Sequence, residues 1–125
     1  MLTSLLLLTL TSDLGAPREL PEQEQSLKVV RYFTEAASAG DHETVAWLTD
    51  AEGLRGRKGE SPRSVVNAYV ARLTRAGCVL DEKQKANEFK QNGKDVAGVR
   101  LLCNGGKHED VTLTKVAGLW KVSVP

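Results

Sequence analysis

The chain has 125 residues with 17 basic and 16 acidic side chains, so its formal net charge is only +1. This length fits a single domain that can bury a hydrophobic core without help from a metal ion or a disulfide. The near-neutral charge, with two each of Phe, Tyr and Trp, argues against nucleic-acid binding, which needs a basic face or clustered aromatic side chains. We therefore expect no nucleic-acid partner.

Residues 1–10 form an apolar run without a charge, Met-Leu-Thr-Ser-Leu-Leu-Leu-Leu-Thr-Leu. The run is far shorter than the roughly 20 residues that span a bilayer, so we expect no membrane span. With Ser12, Gly15 and Ala16 behind it, the run is typical of a secretory signal and its cleavage zone. The sequence thus predicts a signal-like segment and linker over residues 1–20, a domain over residues 21–125, and export to the periplasm or the cell exterior. The alternative is an apolar extension that packs on the domain or on a neighbouring chain.

Two helices are predicted between residues 21 and 48. Pro21 and the glutamates after it favour a helix start, an apolar stripe at helical spacing follows, and Gly40 is typical of a helix end. Asp41 then caps a short second helix. The residues of this helix expected to face inward are Val45, Ala46 and Leu48.

A third helix is predicted after a loop rich in glycine and charge at residues 50–60. Ser61 provides an N-cap, Pro62 fits the first helical position, and Gly77 ends the helix. The apolar stripe of this helix comprises Val65, Val66, Tyr69, Val70 and Leu73.

From Cys78 onward the apolar residues alternate, which predicts an antiparallel meander of four strands. The first, at about residues 79–89, is polar enough for a sheet edge and is followed by an Asn-Gly turn. The last two form a hairpin with its turn at residues 117–118, in which Leu113 faces Val122 and Lys115 faces Trp120.

The loop between the second and third strands is constrained by parity. A two-residue turn at Gly105-Gly106 would put Val99 opposite Thr112, on the wrong face of the sheet, whereas an odd number of loop residues returns Val99 to the face of Val111. We expect a three-residue loop there, with a glycine at positive φ.

Cys78 and Cys103 are the two cysteines of the chain. Regular pairing across the Asn-Gly turn puts Cys103 opposite Glu82 and leaves Cys78 roughly 13 Å away along the strand. A disulfide needs Cα atoms within about 7 Å, so regular pairing forbids the bridge. It forms only if the strand at residues 77–90 is bulged or bent.

Two stretches of the sequence are similar to those of a known superfamily. They are Val30-x-x-Phe33-x-x-Ala36-x-x-Ala39-Gly40-Asp41-x-x-x-Val45-x-x-Leu48 and Val111-Thr-Leu-x-x-x-x-Gly118-Leu-Trp120-Lys121-Val122. With the order of helices and strands, the chain resembles the nuclear-transport-factor-2-like (NTF2-like) superfamily, the cystatin-like α+β roll, and within it the small bacterial envelope domains. The resemblance implies an α+β fold in which three N-terminal helices pack on a curved four-stranded antiparallel sheet.

The resemblance also implies a conical pocket between the sheet and the helices. Its lining would include Phe33, Tyr69, Val99, Leu101, Leu113 and Trp120. Such a pocket suits a small hydrophobic ligand, or the domain binds a partner protein. The same fold often dimerises through the convex sheet face, where Arg100, Thr112 and Thr114 are polar, so we expect a monomer or a weak homodimer.

No catalytic, cofactor or metal site is expected. Enzymes of the superfamily place an acid–base pair in the pocket, and the alternative function, an isomerase, cyclase or hydrolase, would here rely on Tyr69 with Asp41 or Asp81. A cystatin-type inhibitor would need a Gln-Val-x-Val-Gly hairpin, which the sequence lacks.

Short polar clusters are better explained as solvated surface. Asp41-His42-Glu43 fits a helix cap, and His108 with Asp110 lacks a third metal ligand. Arg55, Arg57 and Lys58 fit a solvated loop.

Overall fold

The computed structural model describes residues 23–50, 61–81 and 83–125, within which three helices precede an antiparallel sheet. The helices are α1 (Ser26–Ala39), α2 (His42–Trp47) and α3 (Pro62–Arg75). The strands are β1 (Val79–Leu80), β2 (Asn87–Gln91), β3 (Lys94–Leu102), β4 (His108–Val116) and β5 (Leu119–Ser123). The predicted α+β architecture is confirmed. The signal-like segment at residues 1–20 and the loop with Arg55, Arg57 and Lys58 lie outside the described residues.

Helix α1 begins at Ser26, so the predicted start at Pro21 is wrong. Residues 23–25 are not helical because Gln23 is held beside β5. The carbonyl oxygen of Gln23 accepts from the Trp120 N–H at 2.8 Å, and its side-chain amide donates to the Trp120 carbonyl at 3.3 Å. These long-range bonds override the local helix signal. The other end is as expected, with Gly40 in the left-handed conformation at φ 72°.

Helix α2 is capped by Asp41, whose side chain accepts from the Thr44 N–H. Of the three residues expected to face inward, Val45 and Leu48 are buried but Ala46 is exposed. After α2 the chain runs beside β5, where the Val122 N–H donates to the Leu48 carbonyl at 2.7 Å. The outer edge of β5 is thereby covered at Trp120 by residue 23 and at Val122 by residues 48–50.

Helix α3 starts as predicted, with Ser61 as N-cap accepting from the Ser64 N–H at 3.1 Å and Pro62 in the first turn. Its buried residues lie on one stripe facing the core. They are Val65, Val66, Tyr69 and Leu73.

The sheet has the order β1-β3-β4-β5, with β2 also pairing with β3. The predicted first strand is therefore one edge strand broken into β1 and β2, and the sheet has four or five strands according to how this edge is counted. All pairings are antiparallel. The sheet is curved, and its concave side carries the core.

Both parity arguments for the sheet are confirmed. Val99 pairs with Val111 across a three-residue turn at Asn104–Gly106, in which Gly105 has φ 73°. In the terminal hairpin Leu113 pairs with Val122, and Lys115 pairs with Trp120, around a tight turn at residues 117–118. Alternation then places the aliphatic residues of β3, β4 and β5 on one face.

Cys78 and Cys103 form a disulfide, which regular pairing of the edge strand would have forbidden. Asn87 pairs with Gly98 in the expected register, but Leu80 pairs with Leu101. Six residues separate Leu80 from Asn87 in the sequence, whereas only two separate Gly98 from Leu101 on β3, so the pairing of the edge strand resumes four residues out of register. This shift brings Cys78 opposite Cys103.

The hydrophobic core lies between α1 and the concave face of the sheet. Val29, Val30 and Phe33 of α1 are 0% exposed. The core residues of β3, β4 and β5 are at most 3% exposed. They are Ala97, Val99, Leu101, Val111, Leu113, Trp120 and Val122.

Replacing both Cys78 and Cys103 with serine is expected to lower the free energy of unfolding by about 3 kcal/mol, because the bridge closes a loop of 25 residues and so limits the unfolded chain. Chemical denaturation monitored by circular dichroism measures this change. Wild-type protein reduced with dithiothreitol should unfold at the same denaturant concentration as the variant. A variant as stable as the oxidised wild type would contradict the expectation.

Candidate functional site

The six residues predicted to line a pocket are brought together by the fold. All six belong to the hydrophobic core, and Phe33, Val99, Leu101 and Leu113 are 0% exposed. They are contributed by α1, α3, β3, β4 and β5. Tyr69 and Trp120, which are 5% and 3% exposed, each also border a cavity at the surface. Contact of the six residues with a ligand stays a prediction.

The cavity at Tyr69 lies between α3 and the end of the chain and has a volume of about 400 Å³. One face of α3 forms most of its wall, at positions that follow helical spacing. We call this cavity the Tyr69 cleft. Its lining comprises Ser64, Val65, Ala68, Tyr69, Arg72, Val124 and Pro125.

The hydroxyl group of Tyr69 is buried and has no hydrogen-bond partner within the described part of the chain. Its ring packs near that of Phe33, with 6.3 Å between the ring centroids. Burial raises the pKa of Tyr69 to about 12; the nearby Arg72 opposes this rise and Glu109 adds to it. A buried polar group without a partner costs about 1–3 kcal/mol, so burial of this hydroxyl lowers the free energy of unfolding.

Arg72 covers the outer side of this tyrosine. Its guanidinium lies 5.3 Å from the centroid of the Tyr69 ring, and its Nη1 lies 3.2 Å from Oε1 of Glu109. The side chains of Arg72 and Glu109 are 48% and 32% exposed. Half-exposed ion pairs contribute little net stability, so this cover can move at small cost.

A second cavity, of about 240 Å³, lies beside Trp120 and is lined by residues of β2, β3, β4 and β5. Its charged groups contact one another or neighbouring side chains. Lys90 Nζ lies 3.2 Å from Asp95 Oδ1, and Lys115 Nζ lies 5.4 Å from the centroid of the Trp120 ring. Since these groups already have partners, the Tyr69 cleft is the better candidate for a ligand site.

The acid–base pairs considered for an enzyme are not formed. The Asp41 carboxylate accepts from Thr44 Oγ1 at 2.7 Å, a bond that lowers the pKa of Asp41, with a second bond from the Thr44 N–H. Asp81 accepts from the Lys83 N–H at 3.0 Å. Neither carboxylate bonds the Tyr69 hydroxyl. Both act in a helix cap or turn.

The described residues hold no group of three or more His, Cys, Asp or Glu side chains that could bind a metal ion. Asp110, which stands beside His108 in the sequence, instead accepts from Arg100 Nε at 3.1 Å. None of the helices in the described ranges has the length and apolar character needed to cross a membrane.

Two neighbours of Tyr69, Arg72 and Glu109, were not predicted from the sequence. Arg72 follows Tyr69 by three positions, a spacing that puts the two side chains on one face of α3. Glu109 pairs with Leu101, so it stands on the core side of the sheet. The three-residue loop, which was predicted, would have been enough to place it there.

Three helices packed on the concave side of a curved antiparallel meander are the arrangement that the sequence resemblance implied. The described residues thus form an α+β roll. No family model matches the sequence, and no curated protein matches it.

Among solved structures, the chain is similar to one from Campylobacter jejuni described as a "Putative NTF2-like transpeptidase". The identity is 21%, the match covers 77% of this chain and 94% of that one, and the TM-score is 0.42.

Replacing Tyr69 with phenylalanine is expected to stabilise the domain by about 1 kcal/mol at neutral pH, because it removes a buried hydroxyl that has no partner among the described residues. The free energy of unfolding from denaturant titrations tests this, with Tyr32→Phe as the matched control. A loss of stability on Tyr69→Phe would show that the hydroxyl is hydrogen-bonded in solution.

The same pair of proteins should differ more strongly in alkali. The unfolded chain loses the tyrosine proton near pH 10, whereas the folded protein keeps it to about pH 12. Below pH 10 Tyr69 is protonated in both states, so its titration does not change the free energy of unfolding. As the pH rises from 10 to about 12, the unfolded chain releases the proton first and the free energy of unfolding falls. Wild type should therefore lose stability relative to Tyr69→Phe across that window, by about 2–3 kcal/mol. Parallel pH profiles for the two proteins would contradict this.

Proposed function

We propose that this chain is a non-catalytic binding domain that holds a small, largely apolar ligand in the Tyr69 cleft. The observation that carries the proposal is the buried Tyr69 hydroxyl without a partner. A ligand with a hydrogen-bond acceptor would satisfy it and recover part of the roughly 1–3 kcal/mol that its burial costs. Binding of a partner protein at the same cleft is the alternative.

The lining of the cleft supports an amphipathic ligand. Val65, Ala68, Val124 and Pro125 offer an apolar surface for a hydrocarbon body. The volume of about 400 Å³ lies within the roughly 300–1,000 Å³ that is usual for small-molecule sites.

The charge beside Tyr69 supports an anionic or carbonyl head group. Arg72 lies over the tyrosine ring and is bound to Glu109. Because the hydroxyl is buried, we infer that Arg72 swings aside when the ligand enters. Its guanidinium then binds the same head group that accepts a hydrogen bond from the hydroxyl.

The disulfide supports a location outside the cytosol. Disulfides persist in oxidising compartments and are rare in the cytosol, where thiols are kept reduced. We propose that the domain is exported. Cys78 and Cys103 of protein from the native host should then resist alkylation until a reductant is added, and mass spectrometry measures this. Two alkylated thiols without a reductant would contradict export.

Decanoate is a suitable probe of the cleft, since it combines a hydrocarbon chain with a carboxylate. Isothermal titration calorimetry should detect binding to the wild type. Tyr69→Phe is expected to weaken binding by about fivefold, because one hydrogen bond is lost. Ala68→Leu should weaken it further by filling the cleft, and Arg72→Met should weaken it by removing the cation.

Arg75→Met is the matched control, since Arg75 is an exposed arginine of the same helix outside the cleft. A decyltrimethylammonium salt, with the opposite head-group charge, should bind much more weakly than decanoate. Equal affinity of the wild type, Tyr69→Phe and Ala68→Leu for decanoate would place binding elsewhere. Capture of a protein that protects the cleft from a thiol probe at Ala68→Cys would favour the partner-protein alternative.

A further inference from the structure

The two edges of the sheet differ in whether other described segments of the chain form hydrogen bonds with them. The edge of β5 is covered by residues 23 and 48–50, which form backbone hydrogen bonds with it. Strand β2 pairs with β3 on one side, and no described strand pairs with its other side. All five residues of β2 are exposed. An edge with unpaired backbone groups is a template for another strand.

The turn fixes which backbone groups of β2 face outward. Gln91 and Lys94 flank a two-residue turn, so they form a hydrogen-bonded pair. Hydrogen-bonded and non-hydrogen-bonded pairs alternate along an antiparallel ladder. Phe89 is therefore bonded to β3, whereas Glu88 and Lys90 direct their N–H and C=O groups to the open edge.

These outward groups limit how a second β2 strand can pair antiparallel with the first. A residue that directs its hydrogen bonds outward must meet another that does the same. The possible registers centre on residue 88, 89 or 90. The first places Glu88 opposite Glu88 of the second copy and the third places Lys90 opposite Lys90, and like charges directly opposite are destabilising. Only the register centred on Phe89 sets each Glu88 opposite Lys90 of the second copy.

We propose that β2 pairs antiparallel with β2 of a second copy of this chain, centred on Phe89, to form a two-fold symmetric dimer with a continuous sheet. Glu88 and Lys90 of one copy then pair with Lys90 and Glu88 of the other. The two Phe89 side chains, each 45% exposed in the single chain, meet as a non-hydrogen-bonded pair on the outer face.

The local contacts of this strand fit the dimer. Lys90 Nζ is 3.2 Å from Asp95 Oδ1, and Glu88 accepts from Ser26 Oγ at 2.7 Å through Oε2. In the paired state each lysine lies between two carboxylates, so opposite charges alternate across the joined strands. Five residues from each copy make a small interface, so the dimer is weak and depends on protein concentration. The proposal does not depend on ligand binding at the Tyr69 cleft.

Sedimentation velocity over a range of protein concentrations tests the proposal through two single variants, Glu88→Lys and Lys90→Glu. Each variant alone sets like charges opposite one another at both pairs, so self-association should weaken by about tenfold or more. An equimolar mixture of the two should associate again, because lysines at positions 88 and 90 of one chain then meet glutamates of the other.

Matched controls carry the same change of charge elsewhere. Glu35→Lys and Lys107→Glu alter exposed residues of α1 and of the loop before β4, and they should associate as the wild type does. Thermal melting of each variant checks its fold, and recovery in the mixture shows that both strands remain able to pair.

Four outcomes would overturn the proposal. They are a wild type that stays monomeric at millimolar concentration, single variants that associate like the wild type, a mixture no better than its components, and a monomer whose β2 amide signals shift only when an extended peptide is added. The second outcome would move the interface to another surface. The fourth would make β2 a docking site for a different chain.

Discussion

The burial of one apolar face of the sheet against α1 is the contact on which the rest of the structure depends. Val29, Val30 and Phe33 are fully buried against β-strand residues that all project from the concave side. Each such side chain contributes about 1.5–3 kcal/mol when it leaves water. The same contact fixes the register, because a slip of one residue would turn every inner side chain of a strand toward solvent. The cover over β5 and the position of the Tyr69 cleft follow from that register.

Most of the fold could be predicted because turns and alternation are local properties. The Asn-Gly turn before β3 and the parity of the loop before β4 were enough to place Val99 opposite Val111. The break in the edge strand could not be predicted in this way, since residues 81–85 are all polar and show no periodicity. The start of α1 was misplaced for a related reason: Gln23 is held by Trp120, which is 97 positions away.

The candidate site was less predictable than the fold. Tyr69 could be placed on the buried stripe of α3, but the lack of a hydrogen-bond partner for its hydroxyl is a property of the whole packed structure. Helical spacing would have brought Arg72 beside it. Glu109 required the spacing of α3 and the register of β3 with β4 to be considered together. Periodicity predicts which face of an element a side chain lies on, whereas a binding site depends on the cavity that several packed elements leave between them.

The space between the helices and the sheet is filled by buried side chains, and this explains why the Tyr69 cleft lies at the surface. Phe33 is fully buried, and its ring centroid lies 6.3 Å from that of Tyr69, so the tyrosine ring packs against the core. The front is the half-exposed pair of Arg72 and Glu109, which solvent weakens. Tyr69 lies at the boundary, where its hydroxyl is buried and has no acceptor among the described residues. In the proposed binding, movement of Arg72 and Glu109 would let a ligand reach that hydroxyl while the core stays packed.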